Sequence, residues 1–202
     1  MSKYYEHIAG WFDFQDIYTE AVEKSQENDI LVEVGSFLGK STSYILDEIQ
    51  KSNKKLKFYA VDTWDLTKDD QFHFTAEMPW GEKYIDFSKR LGDKAFYNYF
   101  IDNIKYCPGG HNLTKSIQSY SWDGANYFLD NTCHFVFIDA GHSYESVIKD
   151  LNAWYSKVKI GGIFAGHDLI GEGVQKALKE FCYKNNISQI YQRNASWLMY
   201  KK

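Results

Sequence analysis

Three short apolar, β-branched runs, each closing on small or acidic residues, limit this chain's fold more than any other feature. Ile30 to Val34 leads into Gly-Ser-Phe-Leu-Gly, Lys57 to Val61 into Asp-Thr-Trp-Asp, and Phe135 to Ile138 into Asp-Ala-Gly-His. Strands covered by helices on both faces are apolar almost throughout, so these runs read as buried parallel strands. A fourth, Ile163 to Ala165, follows Gly161-Gly162 and ends in Gly-His-Asp. Between them, Ser41 to Gln50 sets Tyr44, Ile45 and Ile49 on one helical face, and Ser143 to Val158 does the same with Val147, Ile148, Leu151, Trp154 and Tyr155. Strand and helix in alternation predict a doubly wound, Rossmann-like α/β sheet with helices on both faces. The C-terminal runs Ser188 to Gln192 and Ser196 to Tyr200 are separated only by Arg193-Asn194-Ala195, which predicts a hairpin and therefore one antiparallel strand.

A length of 202 residues suits one large domain, and no repeat, linker or low-complexity tract divides it. Residues 1–28 are expected to form an N-terminal helical cap. Residues 65–105, rich in Phe, Tyr and Trp, read as an insertion beside the strand ends with one or two helices, the better one spanning Lys94 to Lys105. Twenty-seven acidic against 23 basic residues give no electrostatic grip on a phosphate backbone, so nucleic acid is not expected as a partner. No stretch has the length of a membrane helix, and the start lacks a basic region followed by an apolar one. Cys107, Cys133 and Cys182 are odd in number and widely spaced, as expected of reduced thiols in a cytoplasmic protein. The N-terminal cluster Tyr4, Tyr5, Trp11, Phe12 and Phe14 is too apolar to lie free, and either covers the chain's own site or packs on a second copy in a homodimer.

In open α/β sheets ligands bind beyond the carboxyl ends of the strands, so the chemistry is sought there. Gly35 and Gly39 in Val-Glu-Val-Gly-Ser-Phe-Leu-Gly-Lys-Ser-Thr have three residues between them, one fewer than in the phosphate-binding loop that the Gly-Lys-Ser suggests. Asp62, at the end of the second strand, suits a ribose diol and would repel a 2′-phosphate; a turn or capping role is its structural alternative. These features are shared with NAD sites, which keeps an NAD-dependent oxidoreductase open as an alternative.

Taken together the motifs resemble the class I S-adenosylmethionine (SAM)-dependent methyltransferases, whose sheet has seven strands with an antiparallel last one. VEVGSFLGKST resembles the family's first motif and FYAVDTWD its ribose motif. SYSWDGANYFLDNTCHFVFIDAGHSYESVIKDLNAWYSKVKIGGIFAGHD is similar to the adenine-contacting segment, fourth strand, helix and fifth strand in unbroken order. YYEHIAGWFDFQDIYTEAV resembles the leader helix of a subgroup that includes macrolide-sugar O-methyltransferases. The resemblance implies that Gly35, Ser36, Phe37 and Ser41 surround the methionine portion of SAM, with Glu33 supporting the loop. Asp62 takes the ribose hydroxyls, Thr63 and Trp64 flank the adenine, and Ser121 and Trp122 close over its other edge. Lys40, with no phosphate to grip, is expected to point to solvent.

In the metal-dependent catechol and macrolide-sugar enzymes an acid ends the fourth strand, a Lys or His three residues later is the base, and an acidic or amide pair ends the fifth. Asp139 and His142 match the first two positions, and His167-Asp168 stands where the pair belongs, Asp168 being 29 residues beyond Asp139. By this resemblance His142 is the general base, and Asp139, His167 and Asp168 would hold a divalent ion such as Mg²⁺ or Mn²⁺, with Asp139 also at the cofactor. Hard Mg²⁺ prefers oxygen, so His167 either weakens its binding, shifts preference toward softer ions or removes the need for a metal. His73, His111 and His134 are read as structural. The implied reaction is O-methylation of a small-molecule hydroxyl, on a sugar or glycosylated metabolite, with S-adenosylhomocysteine (SAH) as product. A SAM-fold binding protein without methyl transfer is the remaining alternative.

Overall fold

The computed structural model describes residues 3–65, 76–92 and 95–202. Its strands are β1 (Ile30–Val34), β2 (Lys57–Asp62), β3 (Leu113–Gln118), β4 (Cys133–Ile138), β5 (Val158–Gly166), β6 (Tyr191–Arg193) and β7 (Ser196–Tyr200). They form one sheet in the order β3-β2-β1-β4-β5-β7-β6. β1 to β5 pair in parallel, and β7 runs antiparallel to both β5 and β6. The expected seven-stranded, doubly wound sheet with an antiparallel C-terminal strand is the fold observed. The described α-helices are α1 (Gln15–Lys24), α2 (Lys40–Ser52), α3 (Tyr84–Leu91), α4 (Ala95–Tyr106), α5 (Ser121–Gly124), α6 (Tyr144–Tyr155) and α7 (Glu172–Lys184). Among the described residues no helix is long and apolar enough to cross a membrane.

Strand periodicity distributes the core between two faces. Leu31, Phe58, Ala60, Phe135, Phe137, Ile163, Ala165 and Leu198 face one side, with α1, α2 and α4 packed over them. Val32, Val34, Val136, Ile138, Phe164, Trp197 and Met199 face the other, under α6 and α7. Trp154 and Trp197 are almost wholly buried on this second side. Truncation of either to alanine would cost about 3–5 kcal/mol.

Several boundaries differ from expectation. Gly161 and Gly162 lie inside β5, which begins at Val158; the register slips between Cys133 and Phe135 of β4, so the glycines form a bulge rather than a strand start. The hairpin turn is only Asn194-Ala195, since Arg193 still pairs with Ser196. β3 has no counterpart among the sequence's apolar runs. It is an edge strand that buries only Ile117, so it carries little apolar signal. Between residues 65 and 105 the described parts hold α3 and most of α4; His73 lies outside the described residues.

The N-terminal aromatics pack on the chain itself. Tyr5 and Phe12 meet Tyr44 of α2, with ring centroids 5.2 and 5.1 Å apart, and Phe14 stacks on Phe137 of β4 at 4.4 Å. This brings residues 10–14 across the carboxyl ends of β1 and β4. Because the chain leaves β1 for β2 on one side and β4 adjoins it on the other, the sheet opens a crevice at this switch point.

Candidate functional site

The loop after β1 is built to approach its neighbours closely. Gly35 has φ +93°, and a Cβ there would overlap the carbonyl oxygen of Asp139, so this position excludes a side chain on two counts. Backbone bonds from Gly35 N to Val61 O (2.8 Å) and from Asp139 N to Val34 O (2.7 Å) tie the ends of β1, β2 and β4 together. Below the loop, buried Glu33 accepts hydrogen bonds from Tyr18 Oη at 2.7 Å and from Thr42 Oγ1. Burial raises the Glu33 pKa, while the surrounding hydroxyls, Thr42 first, pull it back. Glu33 thus links the base of the loop to α1 and α2.

Asp62 holds the loop from the side. Its Oδ2 accepts the backbone N–H groups of Ser36 (2.8 Å) and Phe37 (2.9 Å), and its Oδ1 accepts that of Trp64 (2.7 Å). Burial raises its pKa and these backbone donors oppose the rise. Phe37 and Trp64 both have φ +45°, and Trp64 Nε1 donates to Phe37 O at 2.8 Å. Eight described non-glycine residues have positive φ; five are asparagines, and the other three, Phe37, Trp64 and Asp168, all line one cavity. Asparagine adopts this conformation readily in turns, whereas Phe and Trp adopt it at a cost, which concentrates backbone strain at this site.

That cavity, of about 390 Å³, is large enough for a cofactor-sized ligand. Gly35, Ser36, Phe37, Ser41, Asp62, Thr63 and Trp64 border it on one side, Ser121 and Trp122 on another, and Asp139, His142, His167 and Asp168 on a third. Every residue the sequence marked for cofactor, base or metal, other than the underlying Glu33, therefore meets at one cavity. Trp64 differs in its manner of contact: its indole is only 4% exposed and packs on Phe100 (4.6 Å) and Tyr97 (5.1 Å). It shapes the loop more than it offers a face. Trp122 stacks on Tyr120 at 5.1 Å, with Lys149 Nζ 4.5 Å above its ring.

The third wall is a cluster of acids and imidazoles. His142 Nε2 lies 2.7 Å from Asp168 Oδ2. His167 Nδ1 lies 3.2 Å from the same oxygen and 3.7 Å from Asp139 Oδ1, while its Nε2 meets Asp13 at 2.8 Å. Burial pushes Asp139 up to about 7 despite the nearby imidazoles. Burial would lower His167, but the carboxylates of Asp168, Asp139 and Asp13 outweigh it and raise the ring to about 9. Asp168 is held far below the ordinary carboxylate range: burial opposes ionisation, and the two histidines reverse that effect. Among the described residues, Asp139, His142 and Asp168 have ligand atoms within 4.8 Å of one another and form the set that could hold a metal ion. The expected set had His167 in place of His142; His167 turns Nε2 to Asp13 and keeps Nδ1 beside the same two carboxylates. Two carboxylates and one imidazole suit Mn²⁺ or Zn²⁺ better than Mg²⁺.

The structure also adds residues that the sequence did not mark. Gly10 and Trp11 from the N-terminal segment line the cavity, as do Tyr84 of α3, Phe96 of α4, Ala76 and Glu77. Lys40 is a correction: it borders the cavity half-buried, donating from Nζ to Gly10 O at 3.0 Å, where solvent was expected. Asp13 carries no local signal at all, since only the packing of the N-terminal segment over β4 and β5 brings it to His167.

Comparison with known proteins bears on the fold and the family. No curated protein matches the sequence. Among solved structures, the O-methyltransferase NovP has a TM-score of 0.62 at 16% identity, over 93% of this chain and 79% of its own. CalS11, a TDP-rhamnose 3′-O-methyltransferase, has 0.58 at 13% identity, over 92% of this chain and 76% of its own. SMU.1697c of Streptococcus mutans, solved in complex with SAH, has 0.55 at 11% identity, over 96% of this chain and all of its own. At such identities the likeness is one of fold. The family model described as a methyltransferase domain matches residues 32–169, from within β1 to just beyond Asp168. Spanning more than half of the chain and both sides of the cavity, that match shows that the protein belongs to the methyltransferase-domain family, with SAM as its methyl donor.

Proposed function

We propose that the protein is an O-methyltransferase acting on a hydroxyl of a small molecule, with a sugar or glycosylated metabolite as the acceptor class. The observation that carries this reading is the His142–Asp168 pair, 2.7 Å apart, in the same cavity as the strained glycine loop. When bound, SAM supplies an electrophilic methyl group. Gly35, Ser36, Phe37 and Ser41 are the residues that would hold its methionine portion, and Asp62, Thr63, Ser121 and Trp122 its nucleoside.

The chain's own contribution is proton removal and positioning. A hydroxyl loses its proton as its oxygen is alkylated, and an imidazole titrates in the range where it can take that proton. Asp168 orients the His142 ring and compensates the charge it gains, which favours the protonated ring formed as the hydroxyl is deprotonated. The rest of the barrier reduction comes from holding the acceptor in line with the methyl donor. Trp11, Phe37, Tyr84 and Phe96 supply an aromatic wall suited to stacking on a sugar or an apolar ring. The likeness to NovP and CalS11 supports the same acceptor class. A divalent ion would add positive charge near the acceptor oxygen, and Asp139 and Asp168 are the residues that would hold it, with His142 kept as the base.

Calorimetric titration with SAH, with and without Mg²⁺ and Mn²⁺ and with NAD and ATP as controls, tests the cofactor reading. Micromolar SAH binding without NAD or ATP binding is expected, followed by turnover in a panel of hydroxylated acceptors. Methylation of RNA or of amines in preference to every hydroxyl acceptor would overturn the O-methylation reading.

A further inference from the structure

Lys40 is a cation of the cavity wall, and the carboxylate whose charge reaches it is that of Glu6. Lys40 opens α2, and among the described residues no carboxylate lies within ion-pair distance of its Nζ. Its one hydrogen bond goes to the neutral carbonyl of Gly10, and an ammonium has three protons to donate. Burial lowers its pKa, and the charge of Glu6 offsets only part of that. Around it the wall favours an anion. α2 is 13 residues long and begins at Lys40, so its positive end faces the same space.

We propose that Lys40 grips the carboxylate at the amino-acid end of the cofactor while still holding Gly10, so that cofactor binding fastens the N-terminal segment over the cavity. The proposal rests on reading the cavity as a SAM site. An α-amino acid end is zwitterionic, and the cavity offers the two signs at separate places: Asp139 beyond Gly35 for the ammonium, Lys40 at the start of α2 for the carboxylate. Gly10 lies flat against this arrangement; with φ +134°, a Cβ there would meet the Phe37 ring at 3.4 Å and Lys40 Cβ at 3.9 Å. The tie is thus short on both sides, and one ammonium can serve the segment and the ligand together.

The test compares SAH with 5′-methylthioadenosine, which keeps the adenosine and lacks the amino-acid carboxylate. In Lys40→Met the affinity for SAH should fall about 10- to 100-fold, as expected for losing a charge-assisted contact, while that for 5′-methylthioadenosine changes less than about threefold. Lys40→Arg should recover part of the loss. In the wild type, SAH and not 5′-methylthioadenosine should protect the N-terminal segment from limited proteolysis, a measurement that needs no variant. Equal losses for both ligands, or no loss for SAH, would overturn the proposal, as would equal protection by the two. A wild type that binds neither ligand sinks the cofactor reading itself and this proposal with it, whereas tight SAH binding that ignores Lys40 leaves the cofactor reading standing.

Discussion

Asp62 Oδ2 accepts the backbone N–H of Phe37 at 2.9 Å, at a residue held at φ +45°. The carboxylate therefore fixes a conformation that phenylalanine would not keep unaided, and does so with bonds to Ser36 and Trp64 as well. Hydrogen bonds to a charged acceptor contribute about 1.5–3 kcal/mol each, with strong overlap among neighbours. Asp62→Ala is expected to destabilise the fold by roughly 2–4 kcal/mol in urea denaturation and to weaken SAH binding beyond what a lost ribose contact alone predicts. Asp62→Asn, which keeps one carbonyl oxygen, should lie between. An alanine variant as stable as wild type would show that the loop holds its shape without Asp62.

His142 and Asp168 are expected to separate chemistry from cofactor binding. His142→Gln should lower kcat about 10²- to 10⁴-fold while SAH affinity stays within a few-fold of wild type. Asp168→Asn should reduce kcat and also shift the pH profile, because the ring loses the charge that stabilises its protonated form. Full activity of the His142 variant would remove it as the base.

Stability should depend on pH through His167. Its folded pKa, raised to about 9, exceeds the unfolded value of about 6.5, so its stabilisation is complete below pH ~6.5 and is lost as pH rises toward 9. The contribution is at most ~3 kcal/mol. The melting temperature of wild type is expected to fall across this window, and that of His167→Gln to fall less. Parallel curves for the two proteins would exclude His167 as the source.

Asp150 of α6 is wholly buried, and burial pushes it up to about 7 against the opposing effects of Ser121 and Lys149. The folded form then retains a proton that the unfolded chain has released, so this group favours folding less as pH rises from about 4 to about 7. Asp150→Asn should remove that part of the pH dependence and gain about 1–2 kcal/mol relative to wild type at pH 8. A loss of stability at pH 8 would show that Ser121 and Lys149 hold the ionised carboxylate better than they hold an amide.

Trp11, at 43% exposure, stands 6.2 Å from Phe37 at the cavity. Trp11→Ala is expected to raise the acceptor KM about 5- to 20-fold, equivalent to roughly 1–2 kcal/mol of lost apolar contact, with a smaller effect on SAH affinity. The same acceptor KM in both proteins would place the acceptor elsewhere.

The sequence by itself determined the central strands of the sheet and the side of it where chemistry could sit, though not the edge strand β3. Apolar runs such as Ile30–Val34 and Cys133–Ile138 are buried on both faces, which makes them strands in any plausible packing, and the residues ending them mark the ligand side. Gly35 was legible because a close backbone approach admits no side chain, and Asp139, His142 and Asp168 because their chemistry stands at strand ends. Tertiary structure alone decided how those groups are used. It turned His167 toward Asp13, a residue over 150 positions away, and spent the Asp62 carboxylate on three backbone donors. It also drew Lys40 and the segment around Gly10 to the cavity wall. Strand burial follows from local periodicity, but these pairings arise from long-range packing of the N-terminal aromatics against α2 and β4, which no local pattern encodes.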